Sequence, residues 1–308
     1  MSPTITLLVG PPGSGKSTIA LDRINNDGDH GLATVRVSQD DQGKPGHMEV
    51  FENALLNKQN IIVDRMNFDK NQRNRYLEPA RKAGYATRII VVHCPLDTCL
   101  ERCNKRENHP TIRDSKAASQ AVNFFFTHYE RVEDNEADEV QRLGWAGNDA
   151  PKVVISDLDG TLCDVEHRRH FVRPPEGVKK NWPAFFKGIK DDTVKESCAI
   201  LLRAMAWSGY KIVYCSGRSD NERQATVDWL KKHGLDMFLG EQEWFGVSPI
   251  YMRNRQDSRR DDIVKEIILD FEILTRYNPV FTVDDRNQVV QMWRRRGLTC
   301  FQIEEGDF

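Results

Sequence analysis

The stretch "TITLLVGPPGSGKST", residues 4–18, constrains this chain more than any other. An apolar run of strand length passes directly into glycines, and then into a lysine and a serine that open a helical pattern. Gly10 to Ser17 satisfies GxxxxGK[ST] in the strand–turn–helix setting that gives the pattern meaning. Glycines let backbone N–H groups curl round an anion, and the helix N-terminus favours negative charge. Lys16 would reach the terminal phosphates and Ser17 would hold Mg2+. Gly10, Gly13, Ser14, Gly15, Lys16, Ser17 and Thr18 are therefore the expected nucleotide-binding residues. A glycine-rich connector alone would explain neither Lys16 nor Ser17.

The first half continues with "ATVRVS", "NIIVDRMNF", a helix through "KNQRNRYLEPARKAG" and "ATRIIVVHC". Short apolar runs alternating with helical patterns are the rhythm of a mostly parallel sheet flanked by helices, an α/β fold. At "GWAGNDAPK" glycine, asparagine and proline replace the periodic apolar residues, which sets a boundary near Asp149. Beyond it the rhythm repeats, with strands "KVVIS", "KIVYCSG" and "VFTVDD" and helices such as "KESCAILLRAMAWSG". The expectation is two α/β domains, residues 1–149 and 150–308, with ligands at the carboxyl ends of the strands. A chain of 308 residues can bury both cores without disulfides.

The second domain opens on "VISDLDGTLCD", a buried strand ending in two aspartates one residue apart. In DxDGT the first, Asp157, can attack phosphorus, and the second, Asp159, can protonate the leaving oxygen and then activate water. A simple turn would also accept two aspartates, but later segments supply the rest of a phosphoryl-transfer site. Ser216 in "YCSGR" can donate to phosphoryl oxygens, and Lys265 in "SRRDDIVK" can neutralise the nucleophile and the phosphate. Asp284 or Asp285 in "FTVDDR" joins Asp157 around Mg2+, and Asp159 is counted with that metal set.

A phosphate loop does not say what receives the phosphate. Transfer to an alcohol needs a base at the hydroxyl, and Asp40 or Asp41 in "VRVSQDD" is the candidate, with a helix or turn cap as the plainer reading. The second strand is expected to end beside the loop of the first. Downstream, Arg102 and Arg106 stand one turn apart, leading into a segment with His109 and Arg113 that could close over a triphosphate or simply face solvent. Asp64, Asn67 and Arg73 are expected near the site because they follow the strand "NIIV".

With 44 basic and 46 acidic residues the net charge is −2, which excludes long non-specific tracking along nucleic acid but leaves recognition of a short end by local arginines. Seven cysteines without a framework spacing fit a reducing, cytoplasmic setting. His93, Cys94, Cys99 and Cys103 lack a CxxC pair and read as helix packing rather than a zinc site. No apolar run approaches the ~20 residues of a membrane span, and no cleavable leader is expected before a loop that begins at Gly10.

The DxDGT, SGR, lysine and DD segments resemble, in order, those of the haloacid dehalogenase superfamily of phosphotransferases, over roughly residues 151–308. That resemblance implies an aspartyl-phosphate intermediate and Mg2+ dependence. "TVDDRNQVVQMWRRRGLTCFQIEEGDF" and "SRRDDIVKEIIL" further look like the phosphatase domain of bacteriophage polynucleotide kinase 3′-phosphatases, which also carry an N-terminal P-loop kinase. The resemblance implies ATP as phosphate donor, Asp40 as kinase base and Arg106 as lid arginine. It implies phosphatase roles for Arg168, Arg218 and Asp261, with Arg169 as a substitute for Arg168. The family's arginine three residues after the kinase base is absent: Gly43 stands there, followed by Lys44. The implied substrates are DNA or RNA ends, phosphorylated at 5′-hydroxyls and cleared of 3′-phosphate or 2′,3′-cyclic phosphate. The implied partner is a ligase, a homo-oligomer is allowed, and a phage-encoded protein would work in the host cytoplasm.

The sequence also allows two other readings. The folds alone permit a small-metabolite kinase fused to a metabolite phosphatase. A nucleotide-gated adaptor without chemistry would not need Lys16, Asp157, Asp159 and Lys265 together.

Overall fold

Apolar runs with no alternation, such as "ITLLV" and "RIIVV", suit strands covered on both faces. They take the centre of the first of two parallel sheets. The computed structural model describes residues 2–26, 33–105, 114–236 and 250–306. The chain divides into two compact units, Met1–Trp145 and Ala146–Phe308. Among the described residues no helix is long and apolar enough to cross a membrane.

In the first unit β1 (Thr4–Val9) runs through the phosphate loop into α1 (Lys16–Asn26). It is followed by β2 (Thr34–Ser38), α2 (Gln39–Leu56), β3 (Asn60–Asp64), α3 (Lys70–Lys82) and β4 (Ala86–Val92). Then come α4 (Leu96–Asn104), α5 (Ser115–His128) and β5 (Glu139–Leu143). The strands pair in parallel in the order β2-β3-β1-β4-β5.

This order corrects the expectation that β2 ends beside the loop of β1. β3 lies between them: Leu8 of β1 pairs with Asp64, and Asp64 pairs with Ser38 of β2. The reason is burial. "IIVD" of β3 is buried throughout, whereas the first three residues of "TVRVS" are only half-buried, and a strand with a wetted face belongs at an edge.

α3 presents Arg73, Tyr76, Leu77 and Ala80 to the core, spaced for one helical face, and Asp69 caps it by accepting the Gln72 N–H at 2.6 Å. Arg73 is fully buried and forks onto Glu136, with its Nε at 2.7 Å and its Nη2 at 3.0 Å from the carboxylate oxygens. Its remaining donor reaches the carbonyls of Asn67 and Glu130.

The second unit begins with β6 (Lys152–Ser156) and β7 (Cys163–Asp164), then α6 (Glu166–Arg169), α7 (Trp182–Lys187) and β8 (Thr193–Val194). It continues through α8 (Glu196–Trp207), β9 (Lys211–Ser219), α9 (Arg223–Lys232) and β10 (Ile250–Arg253). α10 (Asp261–Ile268), β11 (Asn278–Arg286), α11 (Asn287–Arg295) and β12 (Cys300–Gly306) complete it.

The parallel order β10-β9-β6-β11-β12 puts β6 at the centre. Residues alternate between its faces: Val154, Ile212 and Tyr214 pack with Leu202 and Trp229, while Val153, Ile155 and Val213 pack with Leu269 and Trp293. β7 and β8 form a small antiparallel pair, and the excursion between them carries α6 and α7.

Candidate active sites

In the first unit the loop after β1 is shaped by close packing. Gly13 has φ +85°, and a Cβ there would meet the Cys99 carbonyl at 2.6 Å and the Cys103 sulfur at 3.1 Å. Only glycine lets α4 approach this closely, so buried Cys99 and Cys103 form the floor on which the loop rests. Lys16, itself buried, folds over the loop with Nζ at 2.7 Å from the Pro11 carbonyl and 3.4 Å from Ser14 Oγ. Ser17 and Thr18 are exposed on the first turn of α1. The Arg102 guanidinium donates to the Gly13 carbonyl at 3.4 Å, bracing the loop. Arg106, His109 and Arg113 lie outside the described residues.

Asp40 is exposed in the first turn of α2, immediately after Gln39, whose side-chain oxygen accepts from Arg65 at 2.5 Å. Asp41 holds Arg36 at 2.5 Å. Arg36 also forks onto Asp64, at 3.0 and 2.5 Å, and Asp64 is the buried carboxylate one strand from the phosphate loop. Asn67 is fully buried with φ +45° and donates to the Leu8 carbonyl at 2.8 Å, so it fixes the strand that feeds the loop. Arg73, expected near the site, serves the core through Glu136. Gly43, where an arginine was expected, has φ +73° at a kink in α2, and a Cβ there would meet nothing within 4 Å.

The second unit gathers its charged residues from the ends of four adjacent strands, β10, β9, β6 and β11, and from α6 and α10. The Asp157 N–H donates to the Val283 carbonyl at 3.0 Å, extending the β6–β11 pairing by one residue and setting Asp157 beside Asp284. Carboxylate oxygens of Asp157, Asp284 and Asp285 all lie within 4.8 Å of one another. Lys265, fully buried on α10, touches Asp157 Oδ1 at 2.8 Å, Asp284 Oδ2 at 2.9 Å and Asp261 Oδ2 at 3.6 Å. Ser216 is buried on β9, and its hydroxyl accepts the Arg218 N–H at 3.2 Å. A Cβ at Gly217 would collide with the Asp261 carboxylate, which explains the glycine of "SGR" as a close-approach position.

Three carboxylates around one ammonium leave negative charge in excess. Burial, followed by the like charges of Asp284 and Asp285, pushes the Asp157 carboxyl well above its ordinary value despite Lys265. Burial, then Asp284, raises Asp285 to about 7. Burial works against the Lys265 ammonium, but Asp157, Asp284 and Asp261 win and hold it charged. The donors of the trio are all hard oxygens, so the set fits Mg2+, whose charge would balance the excess.

The Asp159 carboxylate stands apart from that trio and faces arginines. It receives Arg168 Nη2 at 2.6 Å and Arg218 Nη2 at 2.5 Å. Burial raises its carboxyl pKa, but Arg218 and Arg168 outweigh that and hold it well below the usual carboxylate range. Both guanidinium groups also reach Asp192, a buried acid that takes Arg168 at 2.6 and 2.5 Å and Arg218 at 3.3 Å. Arg169 pairs with Glu166 on the helix surface at 2.9 Å, so Arg168, not Arg169, faces the site. Asp261 is gripped by Arg253 at 3.1 Å and Arg286 at 3.3 Å.

Motif reading did not find Asp192, Arg253 and Arg286. Asp192 lies in "IKDDTVKES", a polar stretch with no motif, so nothing local marks it. Arg253 and Arg286 each close a parallel strand, the position where α/β folds keep their ligands, and that signal was available.

The site opens into a cavity of about 370 Å³, with Asp157 and Asp159 in its lining. A carboxylate beside a buried ammonium, a second carboxylate on two guanidinium groups and an acid trio able to take a divalent cation have the parts that phosphoryl transfer needs.

Residues 44–131 match an AAA domain. A putative bifunctional polynucleotide kinase/RNA ligase of Autographa californica nuclear polyhedrosis virus is 23% identical over 95% of this chain. A transcription factor, bHLH140 of Arabidopsis thaliana, is 28% identical over 43% of it. The chain spans 41% of the length of the first of these curated relatives and 15% of the second. Among solved structures, a chain of the Pnkp1/Rnl/Hen1 RNA repair complex is 27% identical, with 99% of this chain and 97% of that one covered and a TM-score of 0.41. Residues 151–308, just over half of the chain, match the polynucleotide kinase PNKP phosphatase domain, and the chain belongs to that family.

Proposed function

We propose that this chain heals polynucleotide ends: its first unit transfers the terminal phosphate of ATP to 5′-hydroxyls, and its second removes phosphate from 3′ ends. The observation that carries the reading is Asp157 Oδ1 at 2.8 Å from buried Lys265, in a unit of the PNKP phosphatase family, on a chain that also holds a complete phosphate loop.

In the second unit Asp157 attacks the 3′-phosphate. The bond from its Oδ to phosphorus forms, the bond from phosphorus to O3′ breaks, and Asp159 gives O3′ its proton. Water then attacks the aspartyl-phosphate, loses its proton to Asp159 and releases inorganic phosphate. At rest Asp159 is ionised on Arg168 and Arg218. An incoming phosphate competes for the guanidinium donors and frees Asp159 to carry a proton. Ser216 and Lys265 hold the phosphoryl oxygens, and Asp261, clamped by Arg253 and Arg286, steadies Lys265. Mg2+ bound at Asp157, Asp284 and Asp285 would offset charge on the phosphoryl group.

In the first unit the loop amides, Lys16 and Ser17 hold the triphosphate, Arg106 offsets charge on it, and Asp40 takes the proton of the 5′-hydroxyl. Residues 1–149 and 150–308 are then the kinase and phosphatase domains. The viral relative's name joins kinase to RNA ligase, which supports a ligase as the consumer of the healed ends. The test is one oligonucleotide with 5′-hydroxyl and 3′-phosphate ends, incubated with labelled ATP and Mg2+ while both ends are followed. Label gained at 5′ and phosphate lost at 3′ is the expected result; turnover of nucleosides or sugars with none on oligonucleotides overturns it.

A further inference from the structure

The aromatic wall of the phosphatase cavity has no part in the chemistry described above. Trp182, Phe185 and Phe186 of α7 line the same cavity as Asp157 and Asp159. Phe185 is buried and works inward: the Arg168 guanidinium lies 4.0 Å from its ring centroid and donates to its carbonyl at 3.3 Å. α7 is thereby held in register with the arginine on Asp159. It is also capped, since Asn181 accepts the Ala184 N–H at 3.1 Å.

Trp182 works outward. It is 39% exposed, with Phe186 stacked behind it at 5.9 Å and 27° and Phe185 edge-on at 5.8 Å. A large ring held by two others in a cavity wall, and still partly exposed, is a rigid apolar platform. The surroundings are cationic. Lys180 Nζ lies 5.7 Å from the Trp182 centroid, and Arg253, Arg255 and Arg286 line the same cavity. Burial, followed by the positive charges of Arg286 and Arg173, pushes the Lys180 pKa down, as happens where cations converge. A flat apolar face bordered by converging cations is complementary to a nucleotide, which carries a flat base and an anionic backbone.

We propose that Trp182 is the stacking platform for the nucleobase at the 3′ end of the substrate, with Lys180, Arg255 and Arg286 receiving the adjoining backbone phosphate. This rests on the 3′-phosphatase reading and adds to it a base-binding subsite. Stacking is indifferent to which base is presented, so the subsite recognises that a base is present without reading sequence.

The test compares two 3′-phosphorylated oligonucleotides, one ordinary and one with an abasic terminal nucleotide, on the full chain and on Trp182→Ala and Trp182→Phe. The full chain should show a KM about tenfold lower for the ordinary end. Trp182→Ala should raise the KM of the ordinary substrate to the abasic level, leave the abasic KM unchanged and leave kcat within about twofold on both. Trp182→Phe should keep most of the difference. Equal losses on both substrates would mean that Trp182 only supports α7, and no preference for the ordinary end in the unaltered chain would mean that no base is bound; either overturns the proposal. If the unaltered chain releases no 3′-phosphate at all, the phosphatase reading itself fails and the subsite falls with it.

Discussion

The two candidate sites are built from opposite materials. The first is mostly backbone: a loop of amides, one lysine folded over it and a floor of two cysteines. The second is mostly side chain, with acids and bases buried against one another on four strand ends and two helices. A backbone site is written in consecutive residues and tolerates change around it. A side-chain site is assembled from distant residues, and each member is held by the charge of the next. Deleting one therefore exposes uncompensated charge as well as removing a function.

The sharpest way to break the comparison is Asp157→Asn. It should lower 3′-phosphate release by at least about three orders of magnitude while 5′ phosphorylation continues, as end-labelling of the same oligonucleotide would show. Loss of both activities would mean that the sites are not independent. Lys16→Ala is the reciprocal change, expected to cost about 10²–10³-fold in kinase turnover with phosphatase turnover unaltered.

A third test asks whether the backbone site has a side-chain dependence hidden in its core. Arg73→Met leaves Glu136 buried without its partner and should destabilise the first unit by about 3–5 kcal/mol, read from its unfolding transition in urea. An unchanged transition would show that water reaches Glu136. Fourth, Mg2+ at 100-fold above its Kd should stabilise the second unit by about 2.7 kcal/mol, an increment that Asp284→Asn removes. Equal stabilisation of the variant would place the ion elsewhere. The smallest effect separates neighbours: Arg169→Ala, which removes the pair with Glu166, should change stability by less than about 1 kcal/mol and leave phosphatase turnover intact, whereas Arg168→Ala, which strips Asp159 and Asp192 of a guanidinium, should lower that turnover.

Lys16, Ser17, Asp157, Asp159 and Lys265 are all legible as candidates in the sequence, because each sits in or near a motif whose order the backbone chemistry dictates. So are β1, β2, β3, β4, β6, β9 and β11, whose runs of apolar and β-branched residues are long enough to declare themselves. The edge strands β5, β10 and β12 are not. Two of these are short or half-buried, and β12 mixes exposed and half-buried residues, so their patterns resemble loops.

What the sequence determined by itself is the local chemistry: which residues form the phosphate loop, which aspartates end a buried strand, and that both halves are parallel α/β sheets. What only the tertiary structure decided is pairing. β3 rather than β2 stands next to the phosphate loop, Asp159 faces arginines rather than a metal trio, and Asp192 completes a charge cluster no motif announces. Strand order follows from how much of each strand's two faces the whole sheet can bury, and charge pairing follows from which side chains that burial forces together. Neither quantity is local in the chain, so neither can be read from a window of it.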